Sequence, residues 1–212
     1  MQLAFSKIVL KPGQQLLLQD ISWANFEEIL LDLGEHRSSR ISYSSGALEI
    51  MVPLPEHEKH KEVIGDMVKI LLEHQEQDFE SLASTTFKNQ QMNQAVEADA
   101  CFYIKNYQAI IGKDRLDLTL DPPPDLAIEI DITNRTRFNN YLLLKVPELW
   151  RYTKGSFKIY LLTGDRYQES PSSLNFPDIP IVGLIERYVA QAKTQGRSKA
   201  IRAFRQWIIE NL

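Results

Sequence analysis

Hydrophobic and polar positions along this chain follow two periods, and the switches between them mark its elements. After Ser22, the residues Trp23, Phe26, Ile29, Leu30 and Leu33 recur at helical spacing, which predicts an amphipathic helix that ends at Gly34. Two short alternating segments, 40–44 and 47–52, flank Ser44-Ser45-Gly46 and predict a hairpin. Pro53 and Pro55 separate it from a longer helix over about 56–75. Ile64, Met67, Val68 and Leu71 give that helix an apolar stripe, and its other face is charged, as suits a helix laid across a sheet. Three strand candidates follow at 79–88, 96–104 and 126–132, the last preceded by Pro122-Pro123-Pro124, which a sheet interior would not tolerate. A short helix over roughly 135–145 leads to a strand pair, 148–153 and 157–162, turned at Lys154-Gly155-Ser156. The polar stretch 163–178 reads as a loop. The remainder reads as helices over 181–193 and 199–211, broken at Gly196, with Ile201, Phe204, Trp207 and Ile208 inward. This order predicts a mixed α+β domain of the α/β kind, not a regular βαβ alternation. A single domain over 1–212 is expected, with a core over about 36–162 and a helical C-terminal extension over about 181–211.

Composition changes little of this. With 212 residues, 43% of them hydrophobic and 25% charged, a sizeable core is available and disorder is not the default. The net charge of −4 excludes a broad basic coat, so any contact with DNA rests on a local patch. The best such patch is Lys193, Arg197, Lys199, Arg202 and Arg205 on the last helices, although most such patches are solvated faces. A single cysteine, Cys101, excludes an internal disulfide. Residues 1–7 lack the layout of a signal peptide and no apolar run approaches spanning length, so the expected location is cytoplasmic, without a membrane partner.

The chemistry concentrates on two strand candidates. Side chains alternate across a strand, so Leu126, Ile128, Ile130 and Ile132 line one face and Asp125, Ala127, Glu129 and Asp131 the other. In 96–104, Val96, Ala98, Ala100, Phe102 and Ile104 form an apolar face, opposite Glu97, Asp99, Cys101 and Tyr103. If the strands pair, Asp99 and Glu129 converge. Like charges that close persist only with a compensating cation or proton. A hard cation, Mg²⁺ or Mn²⁺, suits carboxylate and carbonyl ligands, and it lowers the pKa of bound water. The alternation alone equally describes carboxylates facing solvent, which is the commoner arrangement.

Val96-Glu97-Ala98-Asp99 and Pro124-Asp125-Leu126-Ala127-Ile128-Glu129-Ile130 resemble the two halves of the PD-(D/E)XK nuclease signature. Gly46-Ala47-Leu48-Glu49-Ile50-Met51, Pro55-Glu56-His57 and Val146-Pro147-Glu148-Leu149-Trp150-Arg151-Tyr152 narrow the likeness to the Uma-two family of putative restriction endonucleases, from about Gly46 to Tyr160. The resemblance implies a restriction-endonuclease-like core, a central mixed β-sheet flanked by helices, and a Mg²⁺- or Mn²⁺-dependent endonuclease hydrolysing DNA phosphodiester bonds. By position, Asp99 matches the first metal-binding Asp and Glu129 the second acid, with the carbonyl of Ile130 a further ligand. The signature's Lys falls on Asp131, which supplies no positive charge, and its Pro before the first Asp falls on Ala98. Asp131 would then ligate or orient water. Relatives can carry the basic group on the following helix, which here offers Arg135, Arg137 and Lys145, Arg135 being nearest the strand end. Arg stabilises a charged transition state but is no base at neutral pH. The lost Lys also admits an alternative: a catalytically impaired relative that acts as a nucleic-acid-binding or protein-interaction module. Cutting both strands often uses two copies, so a homodimer is compatible with the resemblance.

Other signals carry less. His57 and His60 are three apart, not the four of a zincin helix; His57 matches the family pattern and is placed at the cleft. Glu62 or Asp66 could complete a metal shell, but a charged helix face explains both. Cys101 has no histidine at a telling spacing, and Trp150 and Tyr152 fit a core as well as a base-stacking surface. No phosphate-binding glycine loop, dinucleotide fingerprint or nucleophile elbow is present.

Overall fold

The predicted helices form where their end signals stand. The computed structural model describes residues 8–34, 38–83, 86–91, 93–113, 116–130 and 138–212, the last span without the side chains of 138 and 139. Helix α1 (Trp23–Leu33) is capped by Ser22, whose Oγ accepts from the Asn25 amide at 3.2 Å, and it ends at Gly34 with φ 73°. Helix α2 (Pro55–His74) starts with proline in its first turn, where no amide donor is needed. Gly196 separates α4 (Ile181–Gln195) from α5 (Arg197–Asn211).

Eleven strands among the described residues make two sheets. The first has the order β1-β3-β2-β6-β5, built from β1 (Gln15–Leu18), β2 (Arg40–Ser44), β3 (Ala47–Met51), β5 (Thr86–Asn89) and β6 (Gln94–Glu97), every pair antiparallel. The second has the order β11-β10-β9-β8-β7-β4. It comprises β4 (Glu80–Ala83), β7 (Ala100–Tyr103), β8 (Leu126–Ile130), β9 (Glu148–Thr153), β10 (Ser156–Thr163) and β11 (Arg166–Ser170). It is mixed, because β8 and β9 run parallel and the other neighbours antiparallel. The hairpin β2–β3 turns on Ser45 and Gly46, both at positive φ (46° and 91°), as a two-residue primed turn requires.

Two expected strands are each divided between the sheets. Segment 79–88 splits into β4 and β5, and segment 96–104 into β6 and β7. The chain is therefore one bent hairpin that crosses from the second sheet to the first and back. The face pattern shifts by one residue at the second bend. Val96 and Ala98 lie in the same core cluster as Cys101 and Tyr103, whereas Phe102 and Ile104 lie in another. The expected grouping of Val96 and Ala98 with Phe102 and Ile104 is thus corrected, and Asp99 sits at the step where alternation slips. Two further differences are edge strands: β1, over residues for which the sequence predicts no element, and β11, inside the expected 163–178 loop.

Three cores position these layers. Helix α1 covers the outer face of the first sheet through Phe26 and Ile29 against Ile41, Tyr43 and Leu48. Helices α2, α4 and α5 cover one face of the second sheet, over Phe102, Leu126, Ile128 and Trp150. Helix α3 (Phe138–Leu143) contributes Tyr141 to the third core, with Phe87, Ala127 and Leu149. The basic C-terminal face is largely taken up by α2: Lys193 pairs with Glu56 at 3.0 Å, Arg197 with Asp66 at 2.7 Å and Arg205 with Glu73 at 3.6 Å. Glu148, fully buried, accepts from the Trp150 indole at 2.5 Å, the Leu174 amide at 3.0 Å and the Asn175 side chain at 2.8 Å, which ties the chain after β11 to β9. Among the described residues, no helix is long and apolar enough to cross a membrane.

Candidate active site

The bend between β6 and β7 carries Asp99 out of either sheet and buries it to 2% exposure. Pairing of β7 with β8 runs Phe102↔Leu126, Cys101↔Ala127, Ala100↔Ile128. Continued one residue, this register sets Asp99 across from Glu129. Asp99 Oδ2 also accepts the backbone amide of Ile130 at 2.8 Å, so the carboxylate is fixed against the end of β8. Asp99 is thereby held at the Ile130 backbone, one residue from Glu129. Positions 131 and 135, occupied by Asp131 and Arg135, lie outside the described residues, as does Arg137.

Cations surround Asp99. His57, in the first turn of α2, places Nε2 2.9 Å from Asp99 Oδ2. Arg40, the first residue of β2, brings Nε to 3.7 Å from Oδ1, while its Nη2 donates to Glu58 at 3.1 Å. Lys61 Nζ lies 2.6 Å from the other Glu58 oxygen. Burial opposes charge on His57, but Asp99 and Glu58 outweigh it and raise the imidazole to about 9. Glu58 is lowered in turn to about 2, chiefly by His57, against the cost of burial. The two carboxylates therefore favour the charged imidazolium.

Glu129 is half-buried on the face it shares with Ala127. Tyr141, fully buried on α3, donates its hydroxyl to Glu129 Oε1. Arg151 is its Cα partner on β9. The residue before Tyr141, Asn140, donates to Ser42 Oγ at 2.8 Å and to the Ala95 carbonyl at 3.3 Å in the first sheet. Two consecutive residues of α3 thus reach both sheets.

The neighbouring candidates have other duties. Asp125, on the same nominal face, accepts the amides of Ile104, Lys105 and Asn106 at 2.7, 3.0 and 3.3 Å and shapes the chain after β7. Glu62 and Asp66 pair with Arg197. His60 packs its ring on Tyr152 with centroids 4.9 Å apart. Trp150 is a core residue packed edge-on to Phe157 and tilted against Phe176, not a platform for bases. Burial pushes the Cys101 thiol up to about 12, which leaves no thiolate for nucleophilic work. Arg40 and Tyr141 escape sequence reasoning: one is a lone cation at a strand start, the other an aromatic in a short helix, and neither has a periodic partner to single it out.

The donor set suits a hard cation. Asp99 and Glu129 offer carboxylate oxygens and Ile130 a carbonyl, with no sulfur or free imidazole between them. Among the described residues, no group of three or more His, Cys, Asp or Glu is disposed around one point.

Comparison with known proteins adds to this geometry. No match was found among curated proteins. Among solved structures, the chain is similar to a crystal structure described as a "putative nuclease belonging to DUF820" from Anabaena variabilis, with a TM-score of 0.49 and 14% identity, covering 74% of this chain and 90% of that one. The family model Uma2, "Putative restriction endonuclease", matches residues 23–187. That match spans the site from Arg40 and His57 through both acid-bearing strands to α3 and β9, and the chain therefore belongs to the Uma2 family.

Proposed function

We propose that this protein is a metal-dependent endonuclease that hydrolyses DNA phosphodiester bonds at the Asp99–Glu129 site, within one domain over 1–212. One observation supports the reading: Asp99 accepts the Ile130 amide, one residue from Glu129, and the β7–β8 register carried one step past Ala100↔Ile128 would set the two acids opposite each other. Asp99, Glu129 and the Ile130 carbonyl would hold Mg²⁺ or Mn²⁺, which when bound supplies an activated water and offsets phosphate charge. In the hydrolysis, the oxygen of water bonds to phosphorus and the bond to one ester oxygen breaks. That oxygen leaves with a proton from the water, giving a hydroxyl end and a phosphomonoester end. Asp131 would orient the water or ligate the metal, and Arg135 or a neighbouring cation would offset charge on the phosphate. Severing both strands calls for two sites, which a homodimer would provide.

A second reading has its own support. Asp131 replaces the signature's Lys, and His57 and Arg40 already stand against both oxygens of Asp99. On that reading the chain is a nuclease-fold module that binds nucleic acid without cutting it. Plasmid nicking assays with Mg²⁺, Mn²⁺ or a chelator separate the two. Metal-dependent cleavage that falls to the chelated level in Asp99→Ala and Glu129→Ala is expected; equal cleavage by wild type and both variants would refute the assignment. Salt-sensitive DNA retention without turnover would favour the second reading.

A further inference from the structure

We infer that Arg40 is the cation that meets the phosphate at the scissile bond, taking the part that a lysine two residues beyond Glu129 would play. This rests on the nuclease reading above and adds a residue from a different sheet. Position 131 carries Asp, so positive charge must reach the site from elsewhere. The β2–β6 pairing Ser42↔Val96, carried two residues further, sets Arg40 across from Ala98, directly beside Asp99. Glu58 anchors one corner of the guanidinium through Nη2 at 3.1 Å. The Nε–H is buried and makes no hydrogen bond, and at 3.7 Å from Asp99 Oδ1 it is too far to donate there.

A buried guanidinium donor without an acceptor is costly and calls for an explanation. A phosphate oxygen seated over Asp99 would supply the acceptor. Arg presents a planar fork of donors that matches phosphate, and anchoring one arm on Glu58 leaves the Nε edge turned to the site. Lys61 Nζ is taken up by Glu58 at 2.6 Å, and His57, whose buried ring nitrogens also make no hydrogen bond, is held to Asp99 Oδ2 by charge at 2.9 Å. Arg40 acts as a donor and never as a base. It holds a non-bridging oxygen while water's oxygen bonds to phosphorus, the ester bond breaks, and the water proton ends on the leaving oxygen.

The test uses the full chain with Arg40→Gln, Arg40→Lys, Arg135→Gln and Arg151→Gln. Cleavage is measured with Mg²⁺, duplex affinity by anisotropy across a salt series with Ca²⁺, and Mn²⁺ affinity by titration of the protein alone. Arg40→Gln is expected to slow cleavage about 100-fold, as loss of one preorganised donor does. It should make the salt slope shallower by about 0.9, one phosphate contact, and leave Mn²⁺ affinity unchanged. Arg40→Lys should restore the slope. Should Arg40→Gln not fold, the Arg40 Nε–H NMR resonance of the wild type is read instead and is expected to move when duplex and Ca²⁺ are added. Wild-type cleavage and salt slope in a folded Arg40→Gln, the same losses arising from Arg135→Gln or Arg151→Gln instead, or an Nε–H resonance that stays put would overturn the inference. A wild type that neither cuts nor binds DNA overturns the nuclease reading itself, and Arg40's part with it.

Discussion

Removing Asp99 should destabilise the metal-free protein, although removal of a carboxylate from a pair of acids ordinarily relieves repulsion. The expectation follows from what Asp99 touches. It is 2% exposed, lies 2.9 Å from His57 and accepts the Ile130 amide at 2.8 Å. His57 is raised from 6.5 to about 9. That lift corresponds to roughly 3 kcal/mol of favourable interaction with the imidazolium, shared between Asp99 and Glu58. His57 is only 3% exposed, so solvent screens little of it. Orphaning the Ile130 amide adds about 1–3 kcal/mol. Asp99→Ala should therefore cost about 3–5 kcal/mol, the range for breaking one side of a buried ion pair, or on the order of 10 °C in Tm for a chain of this size.

The pH dependence sharpens the test. A histidine whose folded pKa is raised stabilises the protein fully below the unfolded value of 6.5, and that stability is lost as pH climbs through about 9. Urea denaturation of wild type and Asp99→Ala, with chelator, at pH 6, 7.5 and 9 reads both effects. Wild type should lose stability across that window and the variant much less. A variant as stable as wild type at pH 6, or a wild type whose stability holds flat up to pH 9, would refute the ion-pair reasoning.

Glu148→Ala should cost about 1–3 kcal/mol by chemical denaturation, because it strands the buried Trp150 indole and takes the acceptor from the Leu174 amide. The amides of Leu174 and Asn175 should then exchange with solvent faster than in wild type, and unchanged exchange would show that Glu148 does not hold that segment. Arg197→Ala should cost less than about 1 kcal/mol and nothing at high salt, since its pairs with Glu62 and Asp66 are half-exposed. A larger loss that persists at 1 M salt would count against a solvent-screened bridge.

The helices were legible because their boundaries are chemical. Ser22, Gly34, Pro55 and Gly196 act through caps and backbone limits that need no tertiary context. The mixed α+β class and the Uma2 resemblance were legible too, and the family match over 23–187 confirms the latter. The division into two sheets was not. Segment 96–104 reads as one strand because Ala98 and Asp99 are both compatible with alternation, and nothing local marks the residue where the face slips. Edge strands β1 and β11 pair on one side only and carry weak alternation, so their sequences hold little of the signal a central strand must show. Asp99 and Glu129 could be named from spacing and family likeness, but their setting could not. Arg40 reaches Asp99 only through the β2–β6 pairing, and Tyr141 reaches Glu129 only because α3 packs on the second sheet.

That setting explains why the acid pair lies where the two sheets meet. In a straight strand, Asp99 would belong to a single sheet, and its backbone would be held by ladder bonds on both sides. At the bend its neighbours pair with different sheets, Val96 with Ser42 and Ala100 with Ile128, and the side chain itself takes the Ile130 amide. The surrounding charges also come from separate layers: Arg40 from the first sheet, His57 from α2, and Glu129 from the second sheet with Tyr141 of α3 behind it. Each layer has its own apolar core, so their relative placement fixes the distances between these groups far more tightly than surface loops would. Asn140 binds α3 back to Ser42 and Ala95, closing a ring of contacts from the first sheet through α3 to the second around Asp99 and Glu129. A substitution that loosens any one layer should then disturb the acid pair as a unit, because no single element holds both carboxylates.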